Sequence, residues 1–118
     1  MRHDHVAIIG GGFSGTLLAV NLLRHDGPRA TLIERRPHTA RGVAYAAAHP
    51  DHLLNVRADN MSALPDDPGH FARWLEATHG GRIKGFAPRL VYGDYLDALL
   101  AETIARSPGR LRLSLIHI

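Results

Sequence analysis

Apolar positions change their spacing several times along this 118-residue chain, and each change marks an element. From Val6 to Ile9 they run without alternation, the pattern of a parallel strand covered on both faces. From about Phe13 to His25 the spacing becomes helical, and the helix is expected to stop at Asp26-Gly27-Pro28, where Gly27 supplies a left-handed cap and Pro28 blocks continuation. A second short apolar run, Ala30 to Ile33, makes the first forty residues β-α-β. The pattern then lapses from Pro37 to Asp67, but Val43, Tyr45, Leu53, Leu54, Val56, Met61 and Leu64 give this stretch apolar anchors. An ordered, ligand-lining loop is expected there, since long connections without regular structure are usually functional.

Helical spacing returns at Asp67-Pro68, a capping residue followed by proline at the first helical position, and runs to about His79 before Gly80-Gly81. Phe71, Trp74, Leu75 and Thr78 share one face, which reads as packing. A third helix is expected from near Asp94, with Leu96, Leu99, Leu100, Thr103 and Ile104 on its buried side. Ser107-Pro108-Gly109 turns the chain into a third β-prone run from Arg110 to Ile116.

The glycines between the first strand and first helix carry the chemistry. Gly10-Gly-Gly12-Phe13-Ser14-Gly15 follows the strand directly, and Glu34 ends the second strand nineteen positions past Gly15. Gly10 permits the tight turn out of the strand, Gly12 removes a side chain where a pyrophosphate approaches the backbone, and Gly15 lets the helix pack closely. The first-helix amides and the positive end of its dipole would face the diphosphate, so no basic side chain is needed. Glu34 is placed to accept hydrogen bonds from ribose hydroxyls and would repel a 2′-phosphate; Arg35 and Arg36 beside it could offset that repulsion. With strand, helix, second strand and acidic terminus all in register, the pattern predicts adenine dinucleotide binding. By itself it leaves FAD and NAD open.

Composition narrows the rest. The formal net charge is +3, but thirteen arginines are scattered from Arg2 to Arg112 without a basic block or interleaved aromatics, so nucleic acid is not an expected partner. There is no cysteine, which excludes disulfides and thiolate metal sites. His49 and His52 flank Pro50-Asp51, which breaks a helix, and no ligand set accompanies them; no metal site is expected. No apolar stretch reaches membrane-spanning length and no signal-peptide pattern opens the chain, so a cytoplasmic protein without membrane contact is expected. No residues pair as nucleophile and base, and catalytic residues and oligomeric state are not legible.

Two later blocks, Arg41-Gly-Val-Ala-Tyr45 leading into His52-Leu-Leu-Asn55-Val-Arg-Ala-Asp-Asn-Met-Ser62, and Pro88-Arg89-Leu-Val-Tyr-Gly-Asp-Tyr-Leu96, resemble the N-terminus of the FAD/NAD(P)-binding flavoproteins. Those are two-nucleotide enzymes related to FAD-dependent urate hydroxylases and N-hydroxylating monooxygenases. The resemblance covers about Val6 to Arg110. It implies a Rossmann-type α/β fold, incomplete here, with FAD as cofactor and NAD(P)H as reductant of the full-length enzyme. It also implies that Gly10, Gly12, Phe13, Ser14 and Gly15 face the FAD pyrophosphate and Glu34 holds the ribose. Arg35 would flank the adenine, Arg41 and Asn55 would approach the flavin end, and Arg89 would near the cofactor from the helix side. A surface ion pair for Arg89 and a backbone-bonded turn for Asn55 are equally open readings. Two other functions stay in view: a non-catalytic nucleotide-binding module and an NAD-dependent dehydrogenase fragment.

A doubly wound nucleotide fold usually needs five or more strands, and only three candidates are present. Residues 1–112 are therefore expected to be the N-terminal part of an FAD-binding domain. The final Leu-Ser-Leu-Ile-His-Ile, residues 113–118, matches an in-frame reading of a common transposase sequencing adapter, and a non-native tail is expected there. Different codons at those positions in the gene would overturn this.

Overall fold

In the computed structural model, residues 4–25, 27–34, 53–54, 57–82 and 85–115 are described. Three strands, β1 (His5–Ile9), β2 (Arg29–Glu34) and β3 (Leu111–Leu115), form one parallel sheet with β2 in the middle. Among the described residues three α-helices, α1 (Phe13–Arg24), α2 (His70–His79) and α3 (Arg89–Arg106), accompany it. The class is α/β, an incomplete Rossmann-type arrangement, as the sequence pattern and the resemblance lead one to expect.

Register explains how the apolar runs are used. Val6 pairs with Ala30 and Ile8 with Leu32, and Ala30 and Leu32 pair on their other side with Leu111 and Leu113. Because side chains alternate across a strand, all of these point to one face. On that face Ile8, Ala30, Leu32 and Leu111 are buried. It is covered by α1 through Ala19, Val20 and Leu23 and by α3 through Leu96, Leu99 and Leu100, all part of one core. The opposite face carries His5, Ala7 and Ile9 exposed, with Thr31 and Ile33 half-buried, and Ile9 is 78% accessible. The expectation of burial on both faces holds for one face only among the described residues.

The crossover helices lie side by side with their N-termini at the same end. Phe13 in the first turn of α1 meets Tyr92 in the first turn of α3, with ring centroids 6.4 Å apart. Under both lies a cluster of aromatic rings. Phe71 and Tyr92 meet edge to face at 4.9 Å, Phe71 and Tyr95 lie at 4.9 Å, and Trp74 meets Tyr95 edge-on at 5.5 Å. The expected packing face of α2 is thus correct for Phe71, Trp74 and Leu75. Thr78 instead is exposed, its hydroxyl donating to the Trp74 carbonyl at 2.8 Å.

Three boundaries differ from the sequence reading. Helix α2 begins at His70, with Gly69 as its N-cap, because the Asp67 carboxylate is committed to the Arg73 guanidinium and caps nothing. Helix α3 begins at Arg89 instead of Asp94. Pro88 is its extended N-cap, and Gly93, which looks like a helix breaker, lies buried inside the second turn. Helix α1 stops at Arg24, and Gly27 is not left-handed. Its N–H donates to the Leu22 carbonyl at 2.7 Å, and a Cβ there would sit 2.7 Å from that same oxygen.

Of the long connection, Leu54, Ala58, Ala63 and Leu64 are buried, and a 3-10 turn spans Ala58–Asn60. An isolated antiparallel bridge joins Leu53 to Pro88, and backbone bonds from Leu54 to Ala87 (2.8 Å) and Ala58 to Gly85 (2.7 Å) continue it. Val43, Tyr45 and Val56 lie outside the described residues. Among the described residues no helix is long and apolar enough to cross a membrane, and no cluster of His, Asp or Glu could hold a metal ion.

Candidate functional site

The carboxyl end of a parallel sheet is where successive β-α units leave a crevice, and here it is bordered by residues 10–16 and Glu34. Gly10 leaves β1 at φ +99°, a conformation that disfavours any side chain. Its N–H donates to the Ile33 carbonyl at 2.8 Å, so the turn is tied to the end of β2. Gly15 is required for a different reason. A Cβ on it would lie 1.9 Å from the Gly10 carbonyl oxygen and 3.2 Å from Ile8, so the helix can approach the turn only with glycine there. The sequence assigned this residue to helix–sheet packing; the nearest obstacle is the turn itself.

Gly12 is the N-cap of α1 and makes no side-chain capping bond, and the first turn contains no acidic residue. The N-cap position of the helix therefore supplies no carboxylate or hydroxyl of its own, and the positive end of the dipole lies at this loop. Ser14 is exposed in this first turn. Phe13 contributes a half-buried ring to the contact with Tyr92, so its side chain serves packing while its backbone belongs to the loop.

Glu34 comes to this loop from β2. It is 9% accessible, and its Oε2 accepts a 2.9 Å hydrogen bond from the Gly11 N–H. On the other side of Gly11, the fully buried Thr16 donates its hydroxyl to the Gly11 carbonyl at 3.2 Å. Neither Gly11 nor Thr16 is among the residues singled out from the sequence. Gly11 has no local signature, since its partner is 23 residues away. Thr16 has one: it is the only polar member of the buried α1 stripe Thr16, Ala19, Val20 and Leu23.

Arg89 opens α3 and directs its Nε–H to the Leu53 carbonyl at 3.2 Å. The residue thus fastens the segment around Leu53 to the helix start, at the end of the sheet that carries the glycine loop. Arg35, Arg41 and Asn55 lie outside the described residues.

A separate cleft of about 420 Å³ opens at the amino end of the sheet, between the C-terminal turns of α1 and α3. Its charged groups are engaged with one another or with backbone. Arg24 pairs with Asp66 at 2.7 Å, Arg106 with Glu102 at 2.7 Å, and Arg110 donates to the Gly27 carbonyl at 2.8 Å. The Arg24 and Arg73 guanidiniums hold the Asp66 and Asp67 carboxyls below the usual carboxylate range. Beside the cleft, the Tyr95 hydroxyl accepts from the Ala63 N–H at 3.1 Å and meets His70 Nδ1 at 2.7 Å, and burial pushes its pKa upward. The Arg24, Arg106 and Arg110 contacts hold secondary elements together at the end of the sheet remote from the glycine loop, while Tyr95 ties α3 to Ala63 and His70.

Comparison with known proteins bears on the family of the chain as a whole. A protein from Rhodospirillum rubrum named glycerol-3-phosphate dehydrogenase (NAD(P)+) is 45% identical over 74 residues, 63% of this chain. That alignment covers 21% of the relative, so the chain spans about a fifth of the length of the curated protein it matches. The profile of the FAD-NAD(P)-binding family matches residues 7–117, from β1 through β3. A parallel β-α-β unit with an uncapped helix start and a carboxylate closing on the loop, matched over nearly the whole chain, places this protein in the FAD-NAD(P)-binding family.

Proposed function

We propose that the chain is the FAD-binding N-terminal portion of an FAD/NAD(P)-dependent oxidoreductase, of the monooxygenase or hydroxylase type. The observation that carries this reading is the contact of Glu34 with Gly11, which brings an acidic residue beside an uncapped helix start. The helix start suits a pyrophosphate, and the carboxylate suits ribose hydroxyls and opposes a 2′-phosphate. The donor set therefore fits an adenine dinucleotide lacking that phosphate. In this reading Gly10, Gly12, Ser14 and Gly15 border the diphosphate, with Phe13 contributing its backbone. Glu34 holds the ribose and Arg35 flanks the adenine. Arg41 and Asn55 lie toward the flavin, and Arg89 nears the cofactor from the helix side. The bound flavin supplies the redox chemistry, with NAD(P)H as its reductant. The protein binds and orients it and admits a small-molecule substrate.

A nicotinamide dinucleotide as the ligand of this loop is the second reading, favoured by the name of the Rhodospirillum rubrum relative. The two separate by titration of the purified protein with FAD and with NAD+. Flavin fluorescence quenched on binding, together with a yellow protein from the complete gene that oxidises NADH or NADPH, supports the first. Tight NAD+ binding by a colourless protein supports the second. A folded protein that binds neither overturns both. Oxygen uptake coupled to NAD(P)H oxidation tests the monooxygenase assignment.

A further inference from the structure

Gly11 is held on both of its peptide units by buried side chains that come from different elements. Its N–H donates to Glu34 Oε2 at 2.9 Å from the end of β2, and its carbonyl accepts from Thr16 Oγ1 at 3.2 Å from the first turn of α1. Thr16 is fully buried, and its own N–H makes the first helical bond to the Gly12 carbonyl at 3.1 Å. A valine would fill the same volume, so packing does not call for a hydroxyl here. The hydroxyl is used by the loop.

From this we infer that Thr16 is a positioning residue for the dinucleotide, setting the glycine loop in its ligand-ready shape before ligand arrives. The inference rests on the reading of this loop as the dinucleotide site. The Gly11 N–H is taken by Glu34, and Thr16 fixes the following peptide unit through the Gly11 carbonyl, which leaves the diphosphate to the amides that follow Gly12. The Gly11 N–H anchors Oε2 of Glu34, which in this reading leaves Oε1 for a ribose. Losing the Thr16 hydroxyl frees the Gly11–Gly12 peptide to rotate, and through the Gly11 backbone it loosens the adjoining Gly10–Gly11 unit that Glu34 holds. Pre-forming a loop in this way raises affinity by removing an ordering cost at the moment of binding.

The test compares the wild-type chain with Thr16→Val and Thr16→Ser, using FAD as the probe and flavin fluorescence as the readout. Thermal melts and the hydrogen-exchange rate of the Gly11 amide accompany it. Thr16→Val is expected to raise the Kd for FAD roughly tenfold, the worth of one buried hydrogen bond. The Gly11 amide should exchange faster in the ligand-free variant, while Thr16→Ser stays within about twofold of wild type on both measures, as expected when the hydroxyl is kept. Wild-type affinity in a folded Thr16→Val overturns the positioning role and leaves the dinucleotide reading standing. If Thr16→Val does not fold, Thr16→Ser decides: near wild-type affinity and exchange support the role, and a tenfold loss overturns it by assigning the effect to the missing methyl. A folded wild-type chain that does not bind FAD removes the dinucleotide reading, and this inference with it.

Discussion

Helices α1 and α3 occupy equivalent places in two consecutive β-α-β units: each follows a strand of the same parallel sheet and each begins at its carboxyl end. Their starts are built in opposite ways. The start of α1 is a turn of glycines held by polar side chains, Glu34 and Thr16, and its N-cap Gly12 makes no side-chain capping bond. The start of α3 is a proline N-cap closed over by its own segment, through the Leu53–Pro88 bridge and the Arg89 bond, above a packed cluster of Phe71, Tyr92 and Tyr95. One topological position thus yields a glycine turn, the proposed ligand cradle, where small residues shape the helix start, and a structural joint where aromatic and arginine side chains pack against it.

This contrast can be broken from either side. The largest effect is expected at the joint. Phe71→Ala removes a fully buried ring from the core and should cost about 3–5 kcal/mol. Urea denaturation would read this, with any loss of ligand binding following the unfolded fraction alone. Next is Gly15→Ala, which drives a Cβ against the Gly10 carbonyl and should cost about 1–3 kcal/mol. Here binding should fall by more than the loss of folded protein explains, because the displaced atoms belong to the cradle. Binding that tracks folding in both variants would remove the distinction between the two helix starts.

Much of this was readable in the chain. The bare start of α1 follows from Gly10, Gly12 and Gly15 after an unbroken apolar strand, and Glu34 from its place after a second one. What escaped the reading depends on distant partners. Gly11 acquires its role from Glu34, and Phe13, assigned to the cofactor loop, turns its ring to Tyr92. The start of α3 is obscured in the sequence because Gly93 and Asp94 imitate a break and a cap. Tertiary burial of Gly93 overrides its poor helical propensity. Asp67 looked like a cap for a similar reason, since its carboxylate can serve either the helix amides or Arg73, and local sequence does not say which.

Smaller changes sharpen the comparison. Arg89→Ala should cost about 1 kcal/mol by removing the bond to the Leu53 carbonyl. If Arg89 acts only as a fastener, the ligand affinity of folded protein should stay near wild type; a large drop in affinity would move Arg89 into the cradle. The smallest effect concerns acid. Arg24 and Arg73 depress the folded-state pKa values of Asp66 and Asp67, so their contribution is present above the ordinary carboxylate pKa of about 4 and lost as pH falls through the lowered values. Replacing both arginines with glutamine should flatten the acid limb of the melting temperature without altering ligand binding at neutral pH. An unchanged acid limb would show that these exposed pairs contribute nothing measurable.

The Leu53–Pro88 bridge also bears on how the chain folds. Strand β3 must find β2 across the whole stretch from Glu34 to Leu111, and a parallel pairing of that span is slow because the intervening loop has to close first. A neck drawn shut between Leu53 and Pro88, with Ala58 bonded to Gly85 just inside it, takes the residues it encloses out of that search. The remaining contour is roughly half as long, and each halving lowers the closure entropy by about 0.6 kcal/mol. The joint at α3 is therefore also a shortcut: formed early, it brings the two strands within reach before the sheet exists.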